Sequence, residues 1–454
     1  MDVPPSERTE TPVFVQGSTM RHVLVMTGTG AAGLIAIFIV DLISLLYISW
    51  LNDPSMTAGV GLATVVMFFT VSINVGLMIP IGALVSRALG ARKPADARRL
   101  AASGSILMGL IGLAVSAAAL AFLPQILGAM GASDQAFDVA RRFLWIALPT
   151  NVLMSLGMAF STILRAAGDA KRSMYASLSV AVVTVLLDPI TIFVLDLRSD
   201  GAAWTINIAR VAYLYVGYLF VTRAHRLLAR PTMRSVLHDA KPFFAIAVPA
   251  ILTNIAAPAS NAFFTGIMAR FGDQAIAASA IIDRVTPVSF AGVFALAGAI
   301  GPVLGQNWGA GRYDRMRQTL KDSLTFMIVY VLGVWLLLVL LQVPIVIAFN
   351  APPLTAELVR FFCQLSGLIW FFISLVFVAN ASFNNLGYPL LSTFFNWGRA
   401  TLGMIPFAYY GALIGGPKGA IMGLGAGSVA FGIAAIVTAF WTIRRLERQA
   451  VPIP

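Results

Sequence analysis

Of the 19 acidic residues in this sequence, three stand inside long apolar runs: Asp41, Asp188 and Asp283. A charge at mid-bilayer costs at least about 2.5–3.5 kcal/mol on insertion scales, so such a carboxyl ordinarily faces a polar cavity, an ion path or a partner side chain. Asp41 lies nine residues before the end of its run at Trp50, and Asp188 seven before the end of its run at Leu195. At a helical rise of about 1.5 Å per residue, both sit roughly 10–14 Å below one surface. Two carboxyls at one depth can share a chamber in which one takes up and releases a proton, or in which Na+ is held when they are ionised. Pro189, directly after Asp188, removes a backbone hydrogen bond and invites a hinge there.

Polar residues in the same half offer a lining for such a cavity: Asn151, Thr184, Thr205 and Asn207. Thr184 is one helical turn before Asp188 and shares its face, although a threonine within a span more often bonds its own helix backbone. Asp283 belongs with this set either as a transport residue or as half of a structural ion pair. Arg284 beside it is no candidate partner, because sequence neighbours do not face each other on a helix. The second half adds uncharged groups instead, among them Asn254, Asn261, Asn380, Asn384 and Asn385.

One motif points elsewhere. Gly28-Thr-Gly30-Ala-Ala-Gly33, with Asp53 twenty residues further on, matches the dinucleotide fingerprint. That fingerprint needs an amphipathic helix packed on a sheet, whereas residues 34–50 are apolar on nearly every side apart from Asp41. The glycines fit a helix that bends or packs closely on a neighbour. Enzymatic chemistry has little to work with: three histidines (His22, His225, His238) all lie outside the apolar runs, and a lone Cys363 can form neither an intramolecular disulfide nor a thiolate metal cluster. No metal site and no cofactor are expected, H+ or Na+ being the only ions the acids call for.

These residues must be positioned by membrane-spanning helices. Only 11% of the chain is charged and 59% is hydrophobic, against roughly 25% charged in soluble domains. Apolar runs longer than about 18 residues recur along it. They begin with Met26–Trp50 and continue at 56–86, 101–126, 140–164, 173–195, 202–222, 242–269, 274–302, 324–348, 358–382, 388–413 and 418–442. The reading is an all-α polytopic membrane protein with twelve spans. The net charge of +12 does not mark a nucleic-acid partner, because 22 of the 31 basic residues fall on one side and 6 on the other. By the positive-inside rule both termini are then cytoplasmic, in a cell (inner) membrane. No cleavable signal peptide is visible in residues 1–20, which read as a disordered cytoplasmic tail.

An internal repeat organises the spans. Gly82, Gly90 and Gly168 recur as Gly301, Gly309 and Gly387, each 219 residues on (301 − 82, 309 − 90, 387 − 168), and Ala91 and Arg98 recur as Ala310 and Arg317. Six spans per half restore the same orientation, so the halves are expected as parallel, pseudo-twofold-related lobes. The boundaries read as 21–222 for the first lobe, 223–241 for a basic cytoplasmic linker, 242–443 for the second lobe and 444–454 for a tail.

The stretch Gly301-Pro-Val-Leu-Gly305-Gln306-Asn307-Trp-Gly309-Ala-Gly311-Arg312-Tyr-Asp314-Arg315 resembles the loop after span 8 in multidrug and toxic compound extrusion (MATE) transporters. Leu164-Arg165-Ala-Ala-Gly168-Asp169-Ala-Lys171, Leu187-Asp188-Pro189-Ile190 and Asn385-Leu-Gly387-Tyr-Pro389 are similar to their span 4, span 5 and span 10 signatures. Acids in spans 1 and 5 with none in span 7 look like the DNA-damage-inducible branch. The resemblance implies antiport of lipophilic cationic or amphipathic compounds against H+ or Na+ by alternating access, with Asp41 and Asp188 as the coupling pair. Thr184 replaces the family's common Asn, and the proline often present in span 1 is absent. A lipid-linked oligosaccharide flippase of the same superfamily is the alternative, but it calls for a cationic cavity, for which only Arg210, Arg284 and Arg399 are available. A passive channel is weakened by the two-lobe repeat. The partners expected are a small-molecule substrate and membrane lipid, with the chain acting as a monomer.

Overall fold

The apolar runs fold as helices because a bilayer core offers no water to satisfy backbone polar groups, and a helix satisfies them within one segment. In the computed structural model, which describes residues 12–51, 53–131 and 134–450, the helices are α1 Thr19–Ser49, α2 Pro54–Gly90, α3 Pro94–Ala121, α4 Leu123–Ala129, α5 Asp134–Ala147, α6 Asn151–Ala166, α7 Ala170–Pro189 and α8 Arg198–Leu219. The second half continues with α9 Met233–Ala269, α10 Asp273–Ser289, α11 Ala291–Gly309, α12 Tyr313–Ala348, α13 Pro353–Asn385, α14 Pro389–Ala400 and α15 Ile405–Ala450. Ten helical segments among the described residues are long and apolar enough to cross a membrane. The pair α10–α11, bent by 47°, makes a further span. Non-helical Gly415 and Gly416 divide the last segment in two, which completes the twelve.

Several helices run beyond the apolar runs, since the basic residues that flank a span extend the same helix into the headgroups. α12, for example, starts at Tyr313 rather than near 324. Others are interrupted where proline removes a donor. Span 4 breaks between Ala147 and Asn151, around Pro149. After Pro189, α7 widens into a π turn over Ile190–Val194, closed by Leu195 N donating to Ile190 O at 2.8 Å. Both glycine motifs of the repeat end their helices in the left-handed region, Gly168 at φ 90° and Gly387 at φ 82°. Two further left-handed pairs obey the same offset of 219 residues: Arg92 with Gly311 and Gly131 with Asn350 (311 − 92, 350 − 131).

The chain divides into two compact units, though not where the sequence drew the line. One unit holds Ala32–Leu89 and Lys93–Ile251. In it α6 and α8 are central, with α3, α5 and α7 packed on them. The other, among the described residues, holds 12–31, Gly90–Arg92 and 252–450, gathered around α13, which packs on α10, α11, α12, α14 and α15. The N-terminal half of α1 therefore belongs to the second unit, where Val23 is fully buried in the core cluster that includes Ile443. Two strands of backbone touch at the end of that unit: a Cβ on Gly427 would lie 1.2 Å from Gly403 O, and one on Gly411 2.2 Å from Gly419 O.

Three boundaries need correction. Residues 1–11 lie outside the described residues, but the rest of the expected disordered tail is folded. Val13–Val15 form a 3-10 turn, and Phe14 is buried, its N–H donating to Gln306 Oε1 at 3.0 Å. Arg315 clasps the same turn, donating to Asn307 Oδ1 (3.1 Å), Phe14 O (2.8 Å), Gln16 O (3.1 Å) and Gly17 O (2.9 Å). A planar guanidinium with five donors can hold a short peptide this way, and composition gives no sign of it. The linker is shorter than 223–241, because α9 begins at Met233. At the other end α15 runs through Ala450, so most of the expected C-terminal tail is helix. The fingerprint glycines Gly28, Gly30 and Gly33 all lie within the unbroken α1. Of these, Gly30 serves close packing: a Cβ there would lie 3.2 Å from Ala295 Cβ.

Candidate functional site

The candidate site is built within the first unit from the C-terminal half of α1, from α7 with its π turn, and from α8. Asp188, on the last turn of α7, is only 2% exposed. Its carboxylate accepts from the Ser44 hydroxyl on α1, and the Thr205 hydroxyl on α8 also faces it. Thr191, on the π turn, stands 2.8 Å from Thr205, oxygen to oxygen. Asp41 lies one turn before Ser44 on the same face of α1. It has no hydrogen bond or ion pair among the described residues, and it lies close enough to Asp188 for the two charges to interact. One carboxyl is thus held by hydroxyls and the other is free.

Neither acid has a basic partner among the described residues. Arg210, the nearest thing to a counter-charge on α8, is 4% exposed and committed elsewhere: it donates to Ala147 O and to Thr150 Oγ1 (2.9 Å). Those groups are the end of α5 at the break in span 4, where orphan carbonyls and the negative end of the helix dipole attract a cation. Asn207 seals the same break, accepting from Thr150 Oγ1 at 2.6 Å and donating to Ile146 O at 3.0 Å.

Of the residues expected to line a cavity, the structure brings Thr205 to Asp188 and uses the others differently. Asn151 joins three helices, accepting from Asn74 Nδ2 (2.9 Å) and donating to Gly112 O (3.4 Å), while Ser155 donates to Asn74 Oδ1 (2.8 Å). Thr184 donates to Val180 O of its own helix at 2.9 Å. Asp283 is in the second unit on α10, and neither it nor Arg284 has an ion pair or hydrogen bond among the described residues. The sequence reading passed over Ser44 and Thr191. A signal existed, since each lies three residues past an acid, Asp41 and Asp188, and so one helical turn away on the same face.

The set Asp41, Ser44, Asp188, Thr191 and Thr205 supplies only carboxylate and hydroxyl oxygens. Such a set suits a proton or a small hard cation and repels an unaccompanied anion.

The sequence profile described as MatE matches residues 31–190 and 249–410. Among curated proteins, the chain is 25% identical over 424 residues to an FAD transporter of Shewanella oneidensis, covering 91% of this chain and 93% of that one. It is 27% identical over 292 residues to the multidrug export protein MepA of Staphylococcus aureus, covering 62% of this chain and 63% of that one. Among solved structures, a mutant of the Vibrio cholerae MATE transporter VcmN superposes with a TM-score of 0.90 at 22% identity, over 95% of this chain and 99% of that one.

Proposed function

The chain belongs to the MatE family of membrane transporters, and from that premise we propose that it is a cation-coupled antiporter exporting lipophilic cationic or amphipathic compounds by alternating access. The observation that carries this reading is the pair of acids in the first unit, Asp188 held by Ser44 and Thr205 and Asp41 free, with the one buried cation of α8 committed to a helix end. Acids in spans 1 and 5 also support placement in the DNA-damage-inducible branch. With both carboxyls ionised, their repulsion favours a hydrated chamber and a cationic cargo is attracted. Uptake of H+ or Na+ removes both effects, so cargo and ion compete for one element, as coupling requires. A membrane potential of about 100 mV supplies about 2.3 kcal/mol per inward charge.

The test is efflux of a fluorescent lipophilic cation from proteoliposomes under separately imposed H+ and Na+ gradients. Asp188→Asn and Asp41→Asn should each abolish gradient-driven efflux while the protein stays folded and inserted. The double variant should be little worse than either, since the pair acts as a unit. Normal coupled efflux by Asp41→Asn would remove the pair from the mechanism.

A second reading rests on a different observation. Arg284 has no anionic partner among the described residues, and the buried Nε of Arg399 has no hydrogen-bond acceptor. Two such cations in the second unit fit the phosphates of a dinucleotide cargo, the chemistry named for the Shewanella relative. FAD uptake into the same proteoliposomes, lost in Arg399→Gln and retained in Asp41→Asn, would favour it over the first.

A further inference from the structure

The basic connection between the two halves has more positive charge than the protein itself uses. Elsewhere on the side assigned to the cytoplasm, four cations are matched by acids, Arg99 with Asp239 (2.6 Å), Arg172 with Asp169 (2.7 Å), Arg312 with Asp314 (2.8 Å) and Arg317 with Glu447 (2.6 Å), while single ones unpaired among the described residues, such as Lys171 and Lys321, stand apart. Arg223, Arg226, Arg230, Arg234 and Lys241 are all exposed, and none makes an ion pair or side-chain hydrogen bond among the described residues. Topology alone explains that these charges exist on this side; it does not explain why the backbone beneath them is so firmly held.

The holding is specific. His225 Nε2 lies 2.8 Å from Asp169 Oδ2, Leu227 is buried with its N–H donating to Val221 O (3.1 Å), and Ala229 N donates to Arg98 O (3.3 Å). Between these anchors Arg226 adopts φ 47°, a left-handed conformation that costs energy for a residue with a Cβ and persists where its surroundings impose it. The first turns of α9 then carry two stripes. Arg234 and Lys241, seven residues apart, share one face. Met233 (76% exposed), Leu237 (68%) and Phe244 (40%) form an adjoining stripe, about 70° round, which continues into the apolar surface of the span. Cations that stop where an apolar stripe begins match the boundary between phosphates and acyl chains.

We infer that the connection from Arg223 to Lys241 is a preorganised dock for the phosphodiester headgroups of anionic phospholipids in the leaflet on that side. The occupant is a lipid rather than a free anion because Met233 and Leu237 sit beside the cations and have no protein to cover them.

The test uses the full chain in nanodiscs of phosphatidylcholine with and without phosphatidylglycerol, reading lipid retention by native mass spectrometry. The wild type should retain phosphatidylglycerol in preference to phosphatidylcholine. R226Q/R230Q/R234Q should lower that preference by on the order of a hundredfold at low salt, since each such cation contributes about a fivefold effect, and by less as salt rises. The outer-side variant R142Q should match the wild type. A triple variant that loses less than about twofold would overturn the proposal. Displacement of the bound lipid by inorganic phosphate, or equal loss with M233S/L237S absent any change in the arginine variant, would also overturn it.

Discussion

At the scale of single residues, acids in apolar surroundings were legible because their cost is large and their number small. Their partners were less so. Ser44 and Thr191 carry no charge and look like any hydroxyl in a span, so only their spacing from an acid betrays them. Asn151 and Asn207 looked like cavity lining, yet a buried amide is equally suited to closing a helix break or joining helices, and polarity cannot separate the uses. Arg210 illustrates the stakes. Arg210→Ala leaves the carbonyl end of α5 buried without its donor, and thermal unfolding in detergent should show a loss of about 1–3 kcal/mol. A second prediction concerns Asp169 at the mouth of α7. Burial pushes its carboxyl up, but hydrogen bonds from His225 and Arg172 outweigh that and hold it below 3.8. A depressed carboxyl stabilises the fold above its unfolded value, and the contribution disappears as pH falls through the folded one. Hydrogen-exchange protection factors at the Leu227 and Ala229 amides, corrected for the intrinsic rate, should therefore be high at neutral pH and fall as pH drops below 3.8, whereas Asp169→Ala should be poorly protected throughout. Unchanged protection in Asp169→Ala would refute this.

Among the elements, span number came through from composition, because twenty apolar residues in a row have few other uses. Where spans bend did not. Pro149 was read as interior to one run and instead separates α5 from α6, while Gly415-Gly416-Pro417 fell between two runs, where Gly415 and Gly416 do leave the helix. The difference is context: a proline is a break or a tolerated kink depending on which neighbours can satisfy the freed carbonyls. Glycine has the same ambiguity, and two substitutions separate its roles. Gly427→Ala forces the backbone at Gly403 away, so folded yield by size exclusion should fall sharply. Gly415→Ala meets nothing within 4 Å and should be close to neutral. Equal effects would mean that the close approach is not structural.

For the whole molecule, the repeat of 219 residues was visible in sequence and is repeated in the backbone, as the left-handed pairs Arg92 and Gly311, and Gly131 and Asn350, attest. Neither pair could be found by matching letters, since arginine stands opposite glycine in one and glycine opposite asparagine in the other. The division into lobes was misplaced at its start, because Phe14 and the N-terminal half of α1 join the second unit through contacts that no local pattern encodes. Residues 233–454 expressed alone therefore lack part of their own core, Val23 included, and should aggregate in detergent. Co-expression with residues 1–232 should restore a folded peak. A stable, monodisperse fragment on its own would show the N-terminal segment to be dispensable.

That shared helix also has a history within each newly made molecule. Phe14 leaves the ribosome 292 residues ahead of Gln306, the group that receives its N–H. At synthesis rates of about 5–20 residues per second it waits roughly 15–60 s for its seat to exist. During that interval this segment is without its final neighbours, and the nascent chain stays open there until Gln306 has been made. Quality control in the membrane would then have a simple handle on completeness: a protease that trims unprotected N-termini would spare only chains whose second half has been made and folded.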